Sequence, residues 1–372
     1  MSSIKDLLAV RPSPFHDRAA ELCLTNAWTR EGALTLVEVY SALEEEYWAL
    51  AADAGLTDLS ARYVYRLKGP EVEAALDHLL ATRTGDMQPG QCRPVLWCID
   101  AGFVAGEGLL LREGPEAFVI VTEEPASGWI TDSIAGFACA LGDMSGGMAR
   151  LGLTGPAAFG VLEAMGLSQA AKVELAHFIV GNLRGLPIGL ARTHETGFEL
   201  WTSEAEARVL WDRLMRAGQP VGLKPAGTLA RTIRRLELGE PRQGVDFMSA
   251  LRANAWAEAA LPDALGLSAR IDLTGRAGFV GWQALASAKP GRRQLVRLCA
   301  DTPEPVNHAI IADGDQQPLG YVTSAAYSPG HGASLAFGWI DGRVPAEGLL
   351  LFLPPDATSR GKLRRVGCRV LG

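Results

Sequence analysis

The sequence lacks an apolar run long enough to cross a membrane. The longest apolar stretches, such as residues 348–353, which are closed by Pro354 and Pro355, are far short of the roughly 20 residues that a spanning helix needs. The first 18 residues also lack the layout of a secretory signal, because their apolar run is brief and charged residues and prolines follow it. We therefore expect a cytoplasmic protein with no membrane partner.

Cysteine is scarce and shows no pattern. No two-residue CxxC spacing and no Cys/His cluster occurs, so the sequence predicts no metal site, and we expect buried, reduced thiols. The six cysteines are Cys23, Cys92, Cys98, Cys139, Cys299 and Cys368.

The sequence also lacks an excess of basic residues. Its 35 Lys and Arg face 42 Asp and Glu, giving a net charge of −7, which argues against a nucleic-acid partner because a phosphate backbone attracts basic proteins. The 48% hydrophobic and 21% charged residues are typical of a globular chain rather than a disordered one. At roughly 100–200 residues per domain, the length indicates two or three packed units. Oligomeric state cannot be read from the sequence.

Local periodicity predicts a mixed α/β region followed by an all-β unit. Helical spacing and strand-like alternation interchange through the first two thirds of the chain, and short alternating runs with glycine turns dominate near residues 270–286 and beyond Gln294. Ser203 is a predicted helix cap, with acids in the first turn that follows it. The predicted helices cover 39–54, 71–80, 157–165 and 203–218, and the predicted strands 62–68, 94–99, 108–112, 149–153, 189–192 and 197–201.

Several short segments occur in an order that resembles a known family. The clearest is residues 319–332, LGYVTSAAYSPGHG, followed by Ala-Phe-Gly at 336–338. Together these segments resemble the glycine-cleavage T-protein (aminomethyltransferase) family, and residues 11–18 and 45–48 are more similar to its demethylase relatives. The other segments are 279–285, 292–296, 58–60, 150–156 and 235–239.

The resemblance implies the fold and the cofactor. It implies an α+β fold, a three-lobed cloverleaf with a small C-terminal β-barrel, which we divide into a folate-binding region at 30–265 and a barrel at 270–365. It also implies tetrahydrofolate in a central channel. Fold alone does not fix function, so the individual site residues decide whether folate is still used or has been lost.

Three residues stand at positions that the resemblance assigns to cofactor binding. Glu199 stands where the family places a carboxylate that accepts hydrogen bonds from the aminopyrimidine edge of folate; the alternative is a solvent-facing acid at a strand end. Arg231 corresponds to an arginine that suits a folate or substrate carboxylate, although Arg234 and Arg235 nearby also fit a solvated basic face. Arg192 belongs to the loop that precedes Glu199, the predicted folate-binding carboxylate.

The candidate catalytic residues are Tyr40, Glu107 and His194. Tyr40 corresponds to a tyrosine at the mouth of the family's channel, with a core aromatic residue as the alternative. The paired aspartates of the T-proteins are replaced here by Gly106 and Glu107, and Glu107 could still reach the reacting group. The loop that holds His194 is about three residues shorter than in the family, and a histidine there suits acid–base chemistry, although a lone loop histidine is usually solvated.

Three functions follow from these residues. The first is a tetrahydrofolate-dependent demethylase of a small O-, S- or N-methyl substrate, aromatic compounds included, in which Glu107 or His194 protonates the leaving group. The second is a folate-independent lyase on the same fold that releases formaldehyde from a hydroxymethyl-bearing substrate. The third is a non-catalytic folate-binding protein. Glu199 and Arg231 favour the first function, and the shortened loop and the missing aspartate favour the second.

Overall fold

The computed structural model describes most of the chain, with short gaps. The described residues are 10–167, 173–254, 258–289, 291, 293–345, 348–355 and 363–371. Residues 1–9, which belong to the segment compared above with a secretory signal, and residue 292, which begins the family-like segment 292–296, lie outside them. Across the described ranges no helix is both long and apolar enough to cross a membrane.

The chain forms two compact units that interleave along the sequence. One unit comprises residues 1–79, 84–95 and 108–231, and the other comprises 80–83, 96–107 and 232–372. The boundaries 30–265 and 270–365 that the sequence suggested stay predictions.

The first unit contains a three-stranded and a six-stranded sheet. The small sheet has the order β1-β3-β2, and the larger one has the order β11-β12-β13-β10-β4-β14. Their strands are β1 Arg11–Pro12, β2 Ala27–Glu31, β3 Leu34–Val39, β4 Gly55–Asp58, β10 Met148–Thr154, β11 His177–Leu183, β12 Leu186–His194, β13 Gly197–Ser203 and β14 Lys224–Pro225.

A further five-stranded sheet has the order β6-β7-β8-β5-β9. It consists of β5 Tyr63–Lys68, β6 Cys92–Cys98, β7 Val104–Gly114, β8 Ala117–Thr122 and β9 Ala140–Asp143. The helices of the described residues up to the barrel are α1 His16–Leu22, α2 Leu43–Ala52, α3 Val72–Leu79, α4 Ser127–Ser133, α5 Ala158–Ala164, α6 Ala207–Gly218, α7 Thr228–Leu238 and α8 Trp282–Ser287.

The core of the first unit lies against one face of the six-stranded sheet. Leu151, Phe198 and Leu200 point into it from adjacent strands, and α5 and α6 cover it with residues such as Leu162 and Trp211. Because successive residues of a strand point to opposite faces, this packing turns Glu199 and Arg150 to the other face. The core therefore determines which face of the sheet carries the predicted folate carboxylate.

The second unit contains a closed six-stranded barrel with the order β15-β18-β17-β16-β19-β20. Its interior is filled by aliphatic side chains such as Leu298, Ile311 and Leu351, all of them buried. This arrangement confirms the predicted α+β class with a C-terminal β-barrel. The strands are β15 Arg293–Ala300, β16 Ile310–Ala312, β17 Pro318–Ser328, β18 Ala333–Asp341, β19 Leu349–Leu353 and β20 Arg364–Leu371.

The barrel requires glycine at Gly320, where two strands approach closely. A Cβ atom at this position would lie 1.8 Å from the carbonyl oxygen of Trp339 on the neighbouring strand. We expect Gly320→Ala to lower the free energy of unfolding by roughly 1–3 kcal/mol, because the backbone must shift to admit the methyl group. Urea unfolding followed by tryptophan fluorescence measures the loss.

Gly314→Ala is the matched control for this change. The nearest atom to its added Cβ would be 3.7 Å away, which is ordinary van der Waals contact. Equal losses for the two variants would show that the close approach at Gly320 does not limit the barrel.

Candidate functional site

Glu199 lies on the central strand β13, in a row of small residues. It pairs with Gly152 on one neighbouring strand and with Ala191 on the other. Neither neighbour has a side chain large enough to fill the space beside the carboxylate. Glu199 is nevertheless buried, with 8% of its surface exposed, so its charge needs compensation within the protein.

Two arginines supply that compensation, one for each carboxylate oxygen. Arg62 Nη1 donates to Glu199 Oε1 at 2.6 Å, and Arg150 Nη2 donates to Oε2 at 2.6 Å. Arg62 also donates through Nε to Glu123 at 2.8 Å. The four side chains form a chain of alternating charge whose formal charges cancel. We call Arg62, Arg150 and Glu199 the arginine clamp.

The clamp keeps Glu199 ionised. Burial raises the pKa of this carboxyl group, but the positive charges of Arg62 and then Arg150, together with their hydrogen bonds, outweigh burial and lower the pKa to about 2. A buried carboxylate that accepts charge-assisted hydrogen bonds behaves in this way. Glu199 is therefore an anion with a positive group at each oxygen.

Neighbouring strands hold Arg150 in place. Its guanidinium lies 5.4 Å from the centre of the Trp201 ring, its cross-strand neighbour, at a distance typical of a cation–π contact. Trp201 in turn lies flat against Gly189, where an added Cβ would stand 1.9 Å from the indole. The glycine at 189 thus lets the tryptophan lie against the sheet and support the arginine.

Arg192 and His194 lie near Glu199 in sequence but are not part of the clamp. Arg192 stacks 4.9 Å above the Phe159 ring and donates to the carbonyl oxygen of Glu195 at 2.9 Å. His194 is exposed at the end of β12 and pairs with Gly197. The cofactor role of Arg192 and the catalytic role of His194 stay predictions.

Glu107 lies on β7, in the second unit. Its carboxylate accepts a hydrogen bond from Arg270 Nη1 at 2.7 Å, and its backbone N–H donates to the side chain of Gln243 at 3.2 Å. The structure therefore supplies Glu107 with a cationic partner from its own unit. Whether Glu107 takes over the work of the missing aspartate stays a prediction.

A tryptophan explains the glycine that stands before Glu107. A Cβ atom at Gly106 would lie 2.2 Å from the ring of Trp97 and 2.9 Å from its Nε1. Trp97 is itself buried, with 2% of its surface exposed. The indole thus occupies the space that a side chain at 106 would need, and an aspartate cannot stand there unless Trp97 changes.

Tyr40, Asp58 and Arg231 line a small recess in the first unit, together with Leu36, Val37 and Thr57. Asp58 ends strand β4, and Arg231 reaches its carbonyl oxygen from α7 at 3.4 Å. Arg231 also donates to the carboxylate of the buried Glu31 at 2.6 Å. Two of the predicted residues, Tyr40 and Arg231, are thus brought together.

Asp58 of the recess and Glu199 of the arginine clamp belong to opposite faces of the six-stranded sheet. Asp58 is registered with Leu151, whereas Glu199 is registered with Gly152, the next residue along β10. Because neighbouring residues alternate between faces, the carboxyl groups of Asp58 and Glu199 point to different sides. The structure therefore does not bring Glu199 together with Tyr40.

Sequence reasoning missed Arg62 and Arg150 as partners of Glu199, and Asp58 as a site residue. All three lay in segments used only for strand assignment or family resemblance. A signal was available for Arg150, because a charged residue within an otherwise apolar strand requires a buried partner. Nothing in the sequence identified Glu199 as that partner.

Comparison with known proteins gives consistent matches over most of the chain. A sequence model described as the GCVT N-terminal domain matches residues 15–254, and one described as the glycine cleavage T-protein C-terminal barrel domain matches residues 293–359. An aminomethyltransferase from Saccharopolyspora erythraea is 29% identical over 89% of this chain and 90% of its own length.

Further matches agree with these. An aminomethyltransferase from Moorella thermoacetica is 29% identical over 88% of each chain. The solved structure of glycine cleavage system aminomethyltransferase T from Bartonella henselae superposes with a TM-score of 0.84 at 21% identity, covering 98% of this chain and 97% of that one. That structural likeness shows the shared fold.

We expect the arginine clamp to make stability depend on pH below neutrality. The folded-state pKa of Glu199, about 2, lies below the ordinary value of roughly 4.3. Its contribution is therefore fully present above about pH 5 and is lost as pH falls towards 2, amounting to at most roughly 3 kcal/mol. Urea unfolding of the parent and of Glu199→Gln across this range measures it: the Gln variant is less stable at pH 7 and loses less on acidification.

Glu204→Gln provides the comparison, since Glu204 is exposed on the same unit. We expect its pH dependence to run parallel to that of the parent. If Glu199→Gln also runs parallel to the parent, the clamp does not hold the carboxylate in its ionised form.

The contact between Trp97 and Gly106 yields a separate prediction about packing. We expect Gly106→Ala to lower the free energy of unfolding by roughly 1–3 kcal/mol, because the methyl group overlaps the indole. In a Trp97→Leu background the same change should cost less, with a coupling energy of roughly 0.5–3 kcal/mol in the double-mutant cycle. Gly114→Ala, whose Cβ meets nothing within 4 Å, is the control. Additive costs at 97 and 106 would disprove the contact.

Proposed function

Since the chain belongs to the glycine cleavage T-protein family, we propose that it is a one-carbon enzyme that releases formaldehyde from a hydroxymethyl group of a small molecule without using tetrahydrofolate. The observation that carries this proposal is the arginine clamp on Glu199. Membership of an aminomethyltransferase family supports one-carbon chemistry. The clamp favours release of the one-carbon unit over its transfer to tetrahydrofolate.

The clamp does not suit a pterin. The aminopyrimidine edge of tetrahydrofolate presents N–H donors that need a carboxylate acceptor. Both oxygens of Glu199 already accept from guanidinium groups at 2.6 Å, and those groups would place further N–H donors against the donors of the pterin. We infer that Glu199 does not serve as the folate acceptor in this chain.

If tetrahydrofolate is not bound, it cannot receive the one-carbon unit, and this limits the reactions that the enzyme can catalyse. Transfer of an intact methyl group needs a nucleophile that accepts it, so a methyl-transferring demethylase without folate lacks its acceptor. A hydroxymethyl group can leave by itself: the hydroxyl loses its proton, the C–C bond breaks, and the oxygen becomes the carbonyl of formaldehyde. The electron pair of the broken bond remains on the substrate carbon, which then takes a proton. This reaction is a retro-aldol cleavage and needs no co-substrate.

A tetrahydrofolate-dependent transferase or demethylase is the second candidate. The ionised state of Glu199 favours it, because each carboxylate oxygen has two lone pairs and the group stands at the position that resembles the family's folate carboxylate. This function requires the two arginines to make room for the pterin.

We expect the purified protein to release formaldehyde at the same rate with and without tetrahydrofolate. The probe is β-hydroxypropiophenone, an aryl ketone whose terminal hydroxymethyl group gives formaldehyde and acetophenone on cleavage. Both products are assayed, because their equal amounts identify retro-aldol cleavage. Formaldehyde release that strictly requires tetrahydrofolate would overturn the proposal, as would an absence of release under either condition.

Folate titration of Arg62→Met tests the clamp directly. Removing this guanidinium leaves one oxygen of Glu199 without a cationic partner, so the variant should bind tetrahydrofolate at least about tenfold more tightly than the parent, as expected when one charge-assisted hydrogen bond becomes available. Arg66→Met, which removes an arginine paired with Glu113, is the control. Tight folate binding by the parent itself would favour the transferase.

A further inference from the structure

None of the three residues of the arginine clamp lines the recess formed by Tyr40, Asp58 and Arg231. The recess is small, and its interior has space for about one water-sized group such as a hydroxyl. Its Asp58 side chain points to the face of the sheet opposite to Glu199.

Tyr40 presents a buried polar group to this recess. Only 4% of its surface is exposed, and within the described part of the chain no residue forms a hydrogen bond with its hydroxyl group. A tyrosine hydroxyl can donate one hydrogen bond and accept others. A ligand oxygen in the recess would supply the missing partner.

Asp58 differs from the buried acids in the way its charge is compensated. Its carboxyl group accepts hydrogen bonds from Ser13 and Ser60, including the backbone N–H of Ser60 at 2.9 Å. Burial raises the pKa of Asp58, and the serines and the charge of Arg231 offset this only in part. A carboxyl group with a raised pKa is suited to taking up and returning a proton.

The pairing of Arg231 with Glu31 indicates that the ligand group bound in the recess is uncharged. The Arg231 guanidinium is paired with the buried carboxylate of Glu31 at 2.6 Å, so its charge is already balanced. A substrate carboxylate would have to compete with Glu31 and would also face Asp58. A neutral hydroxyl group meets neither obstacle, and it can both donate to Asp58 and accept from Tyr40.

Glu46 fixes the rim of the recess before any ligand arrives. One of its carboxylate oxygens accepts from the backbone N–H groups of Tyr40 and Ser41 at 2.6 and 2.8 Å, and the other accepts from that of Gly227 at 2.8 Å. Glu46 is 1% exposed. Polar groups held in this way need little reorganisation during a reaction.

Resting on the proposed function, we propose that this recess binds the hydroxymethyl group of the substrate, with Asp58 as the acid–base residue and Tyr40 as the donor to the reacting oxygen. The Asp58 carboxylate takes the hydroxyl proton while the C–C bond breaks, and formaldehyde forms with its oxygen at Tyr40. The electron pair stays on the carbon of the remaining fragment, next to its carbonyl group. That carbon then takes the proton back from Asp58, which restores the carboxylate.

The test measures two reactions with the same variants. Release of formaldehyde from β-hydroxypropiophenone without folate follows the whole cycle, and exchange of the methyl protons of acetophenone in D₂O, followed by NMR, follows the proton transfer at carbon alone. We expect Asp58→Asn to lower kcat in both about a hundredfold, as for loss of an acid–base group, with KM within about threefold. We expect Tyr40→Phe to lower formaldehyde release about tenfold or more, and proton exchange much less.

Asp53→Asn and Tyr47→Phe are the matched controls, because Asp53 is exposed and Tyr47 is a buried tyrosine outside the lining of the recess. Both should keep the parent's rates. Asn at 58 can still accept the Ser60 N–H, and unchanged thermal unfolding separates a chemical defect from a folding defect. Should Asp58→Asn misfold, the contrast between the two reactions in Tyr40→Phe still decides.

The outcomes separate the inference from the function on which it rests. A parent enzyme that releases formaldehyde without folate while Asp58→Asn keeps more than about a third of its rate overturns the role of the recess and leaves the lyase standing. Equal losses in both reactions for Tyr40→Phe overturn the role of its hydroxyl group. A parent that is active only with tetrahydrofolate overturns the proposed function itself.

Discussion

The charge of Glu199, buried in the middle of a six-stranded sheet, is the constraint on which the first unit depends. A carboxylate there must have partners, and two guanidinium groups provide them at 2.6 Å. Removing either arginine would leave a buried charge without part of its compensation, which is usually strongly destabilising. The strands that contribute Arg150 and Glu199 are thus held together by charge as well as by their backbone ladder. Under the proposed function, the same pairing keeps Glu199 from accepting hydrogen bonds from a pterin.

Three acids of this unit, two of them buried and Asp58 half-buried, show how compensation determines chemical character. Glu199 is paired with guanidinium groups, and its pKa is lowered to about 2. Glu46 accepts three backbone N–H groups and thereby becomes part of the scaffold. Asp58 is held mainly by serines, and its pKa is raised. One residue class thus supplies a fixed anion, a structural link and a group able to exchange a proton, according to the donors around it.

The sequence predicted elements better than it predicted partners. Helical spacing predicted α3 to within a residue at each end, and strand alternation predicted β5 equally well, because both patterns record which side chains are buried. The short strands β1 and β14 were not predicted, since two residues carry no period. The partners of Glu199 were beyond reach for another reason: Arg62 lies 137 residues away in sequence, and Arg150 lies 49 away. Strand register brings Arg150 close to Glu199, and Arg62 reaches the carboxylate from the turn between β4 and β5.

The hydrogen bonds of Glu46 also determine at what stage of folding the recess can form. They join the backbone at Tyr40 to that at Gly227, and Glu46 and Gly227 are 181 residues apart in sequence. Contacts over such separations form late, because the entropy of closing the intervening chain is lost before they stabilise anything. During synthesis, residues around Tyr40 leave the ribosome long before Gly227. The opening at Tyr40 is therefore assembled only after Gly227 has been synthesised, and a nascent polypeptide that ends before Gly227 has no such opening with which to act on a metabolite.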